Sequence, residues 1–387
     1  MAAEQKPAGT YVWRFHPTLE INFVRMKEKI ISGIQQIGIG VPKMKEAWNW
    51  YRQTFGMDIK IFEEAALASL MLPYTGGKPR MRHAALTLNL MGGGGFEIWQ
   101  YTERTPQPPV FDVQIGDLGI YAAKIKSPDV KATYTYFQKK NLNVNGLVKD
   151  PQGREHFFIQ DPYGNFFQIV DNESWFRFDR RKFTGAAAGA VIGVSNIEKA
   201  IEVYSGILGY DKVVYDHTSP FEDLKQLPGG SETLRRVLLK HSHERLGSFS
   251  RLFGSSEIEL VQVQSRSPEK IFKDRYWGDL GFIHLCYDIT GMNALRNECR
   301  EKGYPFTVDS DVHPEGDSFD MGDAAGHFAY IEDSDGTLIE FVETHRLPII
   351  KKLGWYLNLR KRKPEKPLPN FILKALKYSK VKSKYFK

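Results

Sequence analysis

Cysteine is nearly missing from this chain: Cys286 and Cys299 are the two among 387 residues. Two thiols cannot staple a protein of this size, and their scarcity fits a reducing compartment such as the cytoplasm. Long apolar runs are missing too. No window approaches the ~18 uninterrupted apolar residues of a membrane-spanning helix. The start, Met1-Ala2-Ala3-Glu4-Gln5-Lys6-Pro7, lacks the basic-then-apolar order of a secretory signal. A nucleotide-binding loop is also missing. Gly92-Gly93-Gly94-Gly95 lies between two expected strands and opens no helix, so it reads as a hairpin turn. Acidic residues are scarce at one end. Between Arg346 and Lys387 stand fourteen Lys/Arg and one acid, Glu365, so the net charge of +7 divides into a strongly basic tail and a body of about −6.

What is present is an ordinary globular composition, with 42% hydrophobic and 26% charged residues, on a chain long enough for two or more domains. From Ile31 onward one pattern recurs. Ile34 to Val41 forms an apolar strand. Met44, Ala47, Trp48, Tyr51 and Phe55 then repeat at helical spacing, and Gly56 ends the helix. Three strands follow, near 58–63, 82–90 and 95–101. The same order returns from Gly116, from Ala186 and from Gly278. Gly40-Val41, Ala47, Tyr51, Gly56 and Asp58 match Gly193-Val194, Ala200, Tyr204, Gly209 and Asp211 at one constant offset. Gly116-Asp117-Leu118-Gly119 matches Gly278-Asp279-Leu280-Gly281, and the turn Asp161-Pro162-Tyr163-Gly164-Asn165 matches Asp333-Ser334-Asp335-Gly336-Thr337. The expectation is an α+β protein of four βαβββ modules in two pairs. Its divisions are an extension over 1–29, a first domain over 30–174, a linker over 175–185, a second domain over 186–345 and a basic tail over 346–387.

These strand-helix starts and acidic turns resemble the vicinal oxygen chelate superfamily, which includes glyoxalase I, bleomycin-binding proteins and extradiol dioxygenases. The resemblance spans roughly residues 31 to 345. It implies that each pair of modules forms a curved mixed sheet around a cavity. It also implies that metal ligands come from the first and last strands of the modules. The first-strand positions are Gln36, Ala122, Gly189 and His284, and the last-strand positions are Glu97, Gln168, Glu259 and Glu340.

With consecutive modules paired, the second half offers Glu259, His284 and Glu340 as a metal site. The first half, with Ala122 and Gln168 beside Gln36 and Glu97, is degenerate. Two carboxylates and an imidazole suit a divalent metal ion: Fe, Mn, Ni, Co or Zn. Glu259 is the candidate general base, since Gly189 leaves its neighbouring position vacant. His327 and Tyr330, on the strand before Glu340, are candidate cavity residues. Each has a plainer reading: Glu97 and Glu259 as solvent-facing strand residues, His284 as a hydrogen-bonded core histidine. Glu340 is the firmest, because a carboxylate inside Leu338-Ile339-Glu340-Phe341-Val342 is costly to bury without a partner.

The expected activity is Lewis-acid isomerase, epimerase or lyase chemistry on a small molecule with adjacent oxygens. A ring-cleaving dioxygenase and a non-catalytic small-molecule-binding protein are the alternatives. The dioxygenase pattern fits less well, because Gly189 removes a histidine and Ser334 stands where a proline is wanted. The protein is expected as a monomer or homodimer with no nucleic-acid partner. In the tail, Asn370 is the expected N-cap of a short helix carrying Phe371, Ile372, Leu373 and Leu376 among lysines. Such a segment either docks on the body or attaches peripherally to an anionic membrane surface.

Overall fold

The computed structural model describes residues 28–311, 319–321, 324–350 and 355–386. The expected N-terminal extension, with Tyr11, Trp13, Phe15 and Phe23, lies outside the described residues.

All four modules form. The first contains β1 (Ile30–Gly40), α1 (Met44–Phe55), β2 (Ile59–Ala68), β3 (Arg80–Leu88) and β4 (Gly95–Tyr101). The second contains β5 (Gly119–Ser127), α2 (Val130–Lys139), β6 (Val148–Lys149), β7 (Glu155–Gln160) and β8 (Phe166–Asp171). The third contains β9 (Ala187–Gly193), α3 (Ile197–Tyr204), β10 (Lys212–Ser219), β11 (Leu234–Lys240), the single turn α4 (Ser250–Phe253) and β12 (Glu257–Val263). The fourth contains β13 (Gly281–Thr290), α5 (Met292–Glu301), β14 (Val308–Asp309), β15 (Phe319–Met321), β16 (Ala324–Glu332) and β17 (Leu338–Ile350). The helices start and stop for local reasons. Asp129 and Asn196 cap α2 and α3 by accepting the backbone N–H of Ala132 and Lys199, each at 2.8 Å. Gly56 ends α1 in the left-handed region at φ 66°.

The modules pair as two curved mixed sheets, but not in the expected order. Modules one and four share one sheet, in the order β14-β16-β17-β13-β1-β4-β3-β2. Modules two and three share the other, β10-β11-β12-β9-β5-β8-β7-β6. The seams are antiparallel contacts between first strands, β1 with β13 and β5 with β9. Modules one and two, and modules three and four, touch differently, by helix against turn. Tyr51 of α1 donates to Asp161 at 2.7 Å, and Tyr204 of α3 donates to Asp333 at 2.9 Å. The repeat marks where modules begin, but all four first strands are apolar and nearly continuously buried. The burial pattern of the first strands therefore does not by itself distinguish the two groupings. One apolar core joins both sheets, with Ile37, Ile98 and Leu285 from one and Ile125, Ile169 and Ile192 from the other.

The tail folds back onto this body. Its strand β18 (Trp355–Asn358) extends the first sheet beside β17. Its short helix α6 (Asn370–Ala375) follows Pro369, which occupies the cap position expected of Asn370. Leu359, Leu368 and Leu373 are buried against Ile59, Leu88 and Leu252. Val381 N–H donates to the Asp58 carbonyl at 2.8 Å, and Tyr385 and Phe386 pack edge-on against Trp48. Much of the apolar side of the tail is thus spent on the protein, while Phe371 and Tyr378 remain exposed. No described helix is long and apolar enough to cross a membrane.

Candidate metal centre

The seam between β1 and β13 places Gly38 opposite His284 and Gln36 opposite Cys286. In parallel register, Glu97 of β4 stands beside Gly38, and Glu340 of β17 stands beside Cys286. Alternation across the strands then turns Gln36, Glu97, His284 and Glu340 to the same face of the sheet. Gly38 is required here. A Cβ on it would lie 2.4 Å from His284 Cε1, because the imidazole lies across that strand.

His284 Nε2 lies 3.1 Å from Glu340 Oε2 and 3.4 Å from Glu97 Oε2. Neither approach has hydrogen-bond alignment, so both ring nitrogens are buried without a hydrogen-bond partner. The Gln36 amide nitrogen donates to Glu97 at 3.2 Å and to Glu340 at 3.3 Å, leaving its carbonyl oxygen unpartnered. Turning that amide over would present the oxygen to the same centre. Four side chains from four strands thus converge, with His284 and Gln36 atoms left unpartnered, and the Glu97, His284 and Glu340 ligand atoms lie within 4.8 Å of one another. Such a set fits a divalent cation, for which carboxylate, amide and imidazole donors are all suitable.

The charges fit as well. Burial alone would lower the basicity of His284, but Glu340 and Glu97 outweigh it and push its pKa up to about 9. Burial alone would raise Glu340, but the attraction of His284 holds its carboxyl below the ordinary range. Without a metal, an imidazolium therefore partly offsets two buried carboxylates. Trp277 stacks near the His284 ring at 6.1 Å between centroids, and Tyr330 meets it edge-on at 5.7 Å. Burial pushes the Tyr330 hydroxyl well above its usual pKa, so it stays protonated. A cavity of about 280 Å3 opens over this floor, lined by Gln36, Glu97, Glu340, Tyr330 and Trp277 among others.

The expected trio of Glu259, His284 and Glu340 is not assembled. Glu259 stands in the other sheet, because its module pairs with module two. There it accepts from Lys124 at 2.9 Å, Tyr215 at 2.8 Å and Arg236 at 2.7 Å. Burial would raise its carboxyl, but Arg236 and Lys124 hold it far below the usual range, which makes it a poor base. The matching positions around it are Gly189, Ala122 and Gln168. A Cβ at Gly189 would fall 1.8 Å from the Glu257 carbonyl oxygen, so no ligand can be carried there. Lys124 instead reaches in from beside Gly189, and its ammonium bonds both Glu257 and Glu259.

His327 also departs from expectation. It lies an odd number of residues from Tyr330, so it points to the opposite face of β16, where its Nε2 meets Asp309 at 2.6 Å. Glu343 likewise faces away from the cluster and accepts the N–H groups of Gly291 and Met292 at the start of α5. Gln36 and Glu97 are the cluster members that the sequence placed in a separate, degenerate half. The signal was complementarity, since module one carries the Gln/Glu pair that module four lacks.

The profile of the Glyoxalase/Bleomycin resistance protein/Dioxygenase superfamily matches residues 33–169, and a second profile of the same superfamily matches residues 190–321. Comparison with curated protein sequences finds no match. Among solved structures, a mutant of glyoxalase I from Zea mays is similar, at 15% identity and a TM-score of 0.50, over 81% of this chain and 94% of that one. A putative dioxygenase from Bacillus subtilis is similar at 12% identity and a TM-score of 0.55, over 92% of this chain and 98% of that one. At these identities the likeness concerns the fold.

Proposed function

Because the chain belongs to the glyoxalase/bleomycin resistance protein/dioxygenase superfamily, we propose that it is a divalent-metal-dependent enzyme acting on a small substrate with adjacent oxygens. The observation carrying this reading is the convergence of Gln36, Glu97, His284 and Glu340, with the His284 nitrogens and the Gln36 oxygen unpartnered and with Gln36, Glu97 and Glu340 lining a cavity. These four residues would hold the ion, whether Fe, Mn, Ni, Co or Zn. When bound, it would supply Lewis acidity to a carbonyl and its neighbouring oxygen.

The protein's own groups then account for proton movement. Glu97 and Glu340 border the cavity, so either carboxylate is placed to take a proton from a carbon next to the polarised carbonyl and return it to another atom. That step supports isomerase, epimerase or lyase chemistry. Gln36 holds both carboxylates together from the side. Tyr330 and Trp277 flank His284 and limit water at the floor, with Tyr330 serving as a hydrogen-bond donor rather than a base. Oxygenation by mononuclear iron commonly uses two histidines and one carboxylate. One histidine in the cluster gives that alternative less support.

The test is the metal content of protein purified without a metal-affinity tag. Near-stoichiometric metal is expected in the parent and in Glu259→Gln, and loss in Glu97→Gln, His284→Ala and Glu340→Gln. Metal lost in Glu259→Gln but kept in Glu97→Gln would overturn the assignment. A parent that takes up no divalent metal would move the reading to ligand binding alone.

A further inference from the structure

The cavity above the quartet has an unusual charge pattern. Gln36, Glu97 and Glu340 line its floor, and its walls are mostly hydrocarbon from five separate segments. Strand β2 and the loop after it contribute Phe62 and Leu70, β3 contributes Leu86, the α4 turn contributes Phe253, β17 contributes Leu347, and the tail contributes Leu376. Arg82 is the sole Lys or Arg among the described lining residues, and its guanidinium is committed to Glu64 at 2.5 Å. A carboxylate or phosphate on the body of the substrate, away from the floor, would therefore meet hydrocarbon and, among the described lining residues, no uncommitted cation. Desolvating an anion there would cost several kcal/mol without compensation, whereas each buried methylene gains affinity.

We infer that the site takes an uncharged molecule whose bulk is hydrocarbon, aryl or alkyl, with its paired oxygens at the quartet and its apolar body along the β2, α4 and tail walls. The inference rests on the metal-site reading above and adds the substrate class. It also gives the tail a role. Leu376 is part of the wall, so the docked segment 355–386 helps to define which bodies fit.

The experiment is a calorimetric titration of cobalt-loaded protein with straight-chain alkyl hydroxamic acids, from the acetyl to the decanoyl member. These are uncharged at neutral pH and present two adjacent oxygens. Affinity should rise about fourfold per methylene until the chain outgrows the cavity. The octanoyl analogue ending in a carboxylate should bind at least about a hundredfold more weakly. In Leu70→Lys the gain per methylene should collapse while circular dichroism remains that of a folded protein.

If the acetyl member binds and affinity does not grow with length, or the carboxylated analogue binds equally well, the substrate class is wrong and the metal reading survives. An unaltered gain in Leu70→Lys also overturns the class, because the chain then lies elsewhere. If affinity grows with length but is indifferent to cobalt and to Glu340→Gln, the metal reading fails and the hydrocarbon preference stands. Binding of no member of the series overturns both.

Discussion

Replacing Lys124 by methionine probes the internal ammonium that closes the second sheet. Lys124 Nζ donates to Glu257 at 2.8 Å and to Glu259 at 2.9 Å, and all three side chains are almost fully buried. Burial by itself would raise the Glu257 carboxyl, yet Lys124, Arg154 and Lys240 bring it from 4.5 down to about 2. That fall is worth roughly 3 kcal/mol of stability at neutral pH. A carboxyl more acidic in the folded than in the unfolded chain contributes fully above about pH 4.5, and the contribution is lost as pH falls through about 2.

In Lys124→Met, Glu257 keeps Arg154 at 3.1 Å and Lys240 at 3.2 Å, and Glu259 keeps Arg236 and Tyr215. Removing one partner of a buried pair typically costs about 3–5 kcal/mol, and the remaining cations place this case near the lower end. Chemical unfolding at pH 7 should show that loss, and the acid-unfolding midpoint should move upward because Glu257 titrates earlier. If Lys124→Met unfolds at the parent's midpoint at both pH 7 and pH 4, the ammonium is not holding these carboxylates and the reasoning fails.

Three further outcomes follow from other parts of the molecule. Burial raises the Asp288 carboxyl from 3.8 to about 8, so its contribution to stability is present below 3.8 and is lost as pH rises through about 8; Asp288→Asn should therefore unfold at a higher temperature than the parent at pH 8 and show less advantage at pH 4. Gly38→Ala places a methyl 2.4 Å from His284 Cε1, and should lower metal content to below half while circular dichroism remains that of a folded protein; full metal occupancy would refute the close-approach argument. Leu368, a fully buried residue of the tail itself, should cost about 2–4 kcal/mol on truncation to alanine, read by chemical unfolding; a loss under about 0.5 kcal/mol would mean that the tail is not docked in solution.

The amino-acid sequence by itself determined the four βαβββ modules. Apolar runs such as Ile34 to Val41, helical spacing such as Met44, Ala47, Trp48, Tyr51 and Phe55, and turns such as Asp161 to Asn165 are local signals, and each is set by backbone and side-chain preferences within a few residues. Through the resemblance of its strand-helix starts and turns to the vicinal oxygen chelate superfamily, it also marked Gln36, Glu97, His284 and Glu340 among the first- and last-strand positions. It did not tell which strands lie side by side. Pairing β1 with β13 and β5 with β9 joins residues about 250 and 70 positions apart, and comparably apolar first strands would satisfy the other grouping too. Only the tertiary structure made that choice, through fits such as the His284 ring lying across Gly38. The same choice moved Glu259 out of the cluster and beside Lys124, whereas the place of His327 on the far face of β16 follows from its odd spacing to Tyr330. A change of neighbour leaves every local preference intact while replacing every contact across the seam, and the metal centre is made of contacts across the seam.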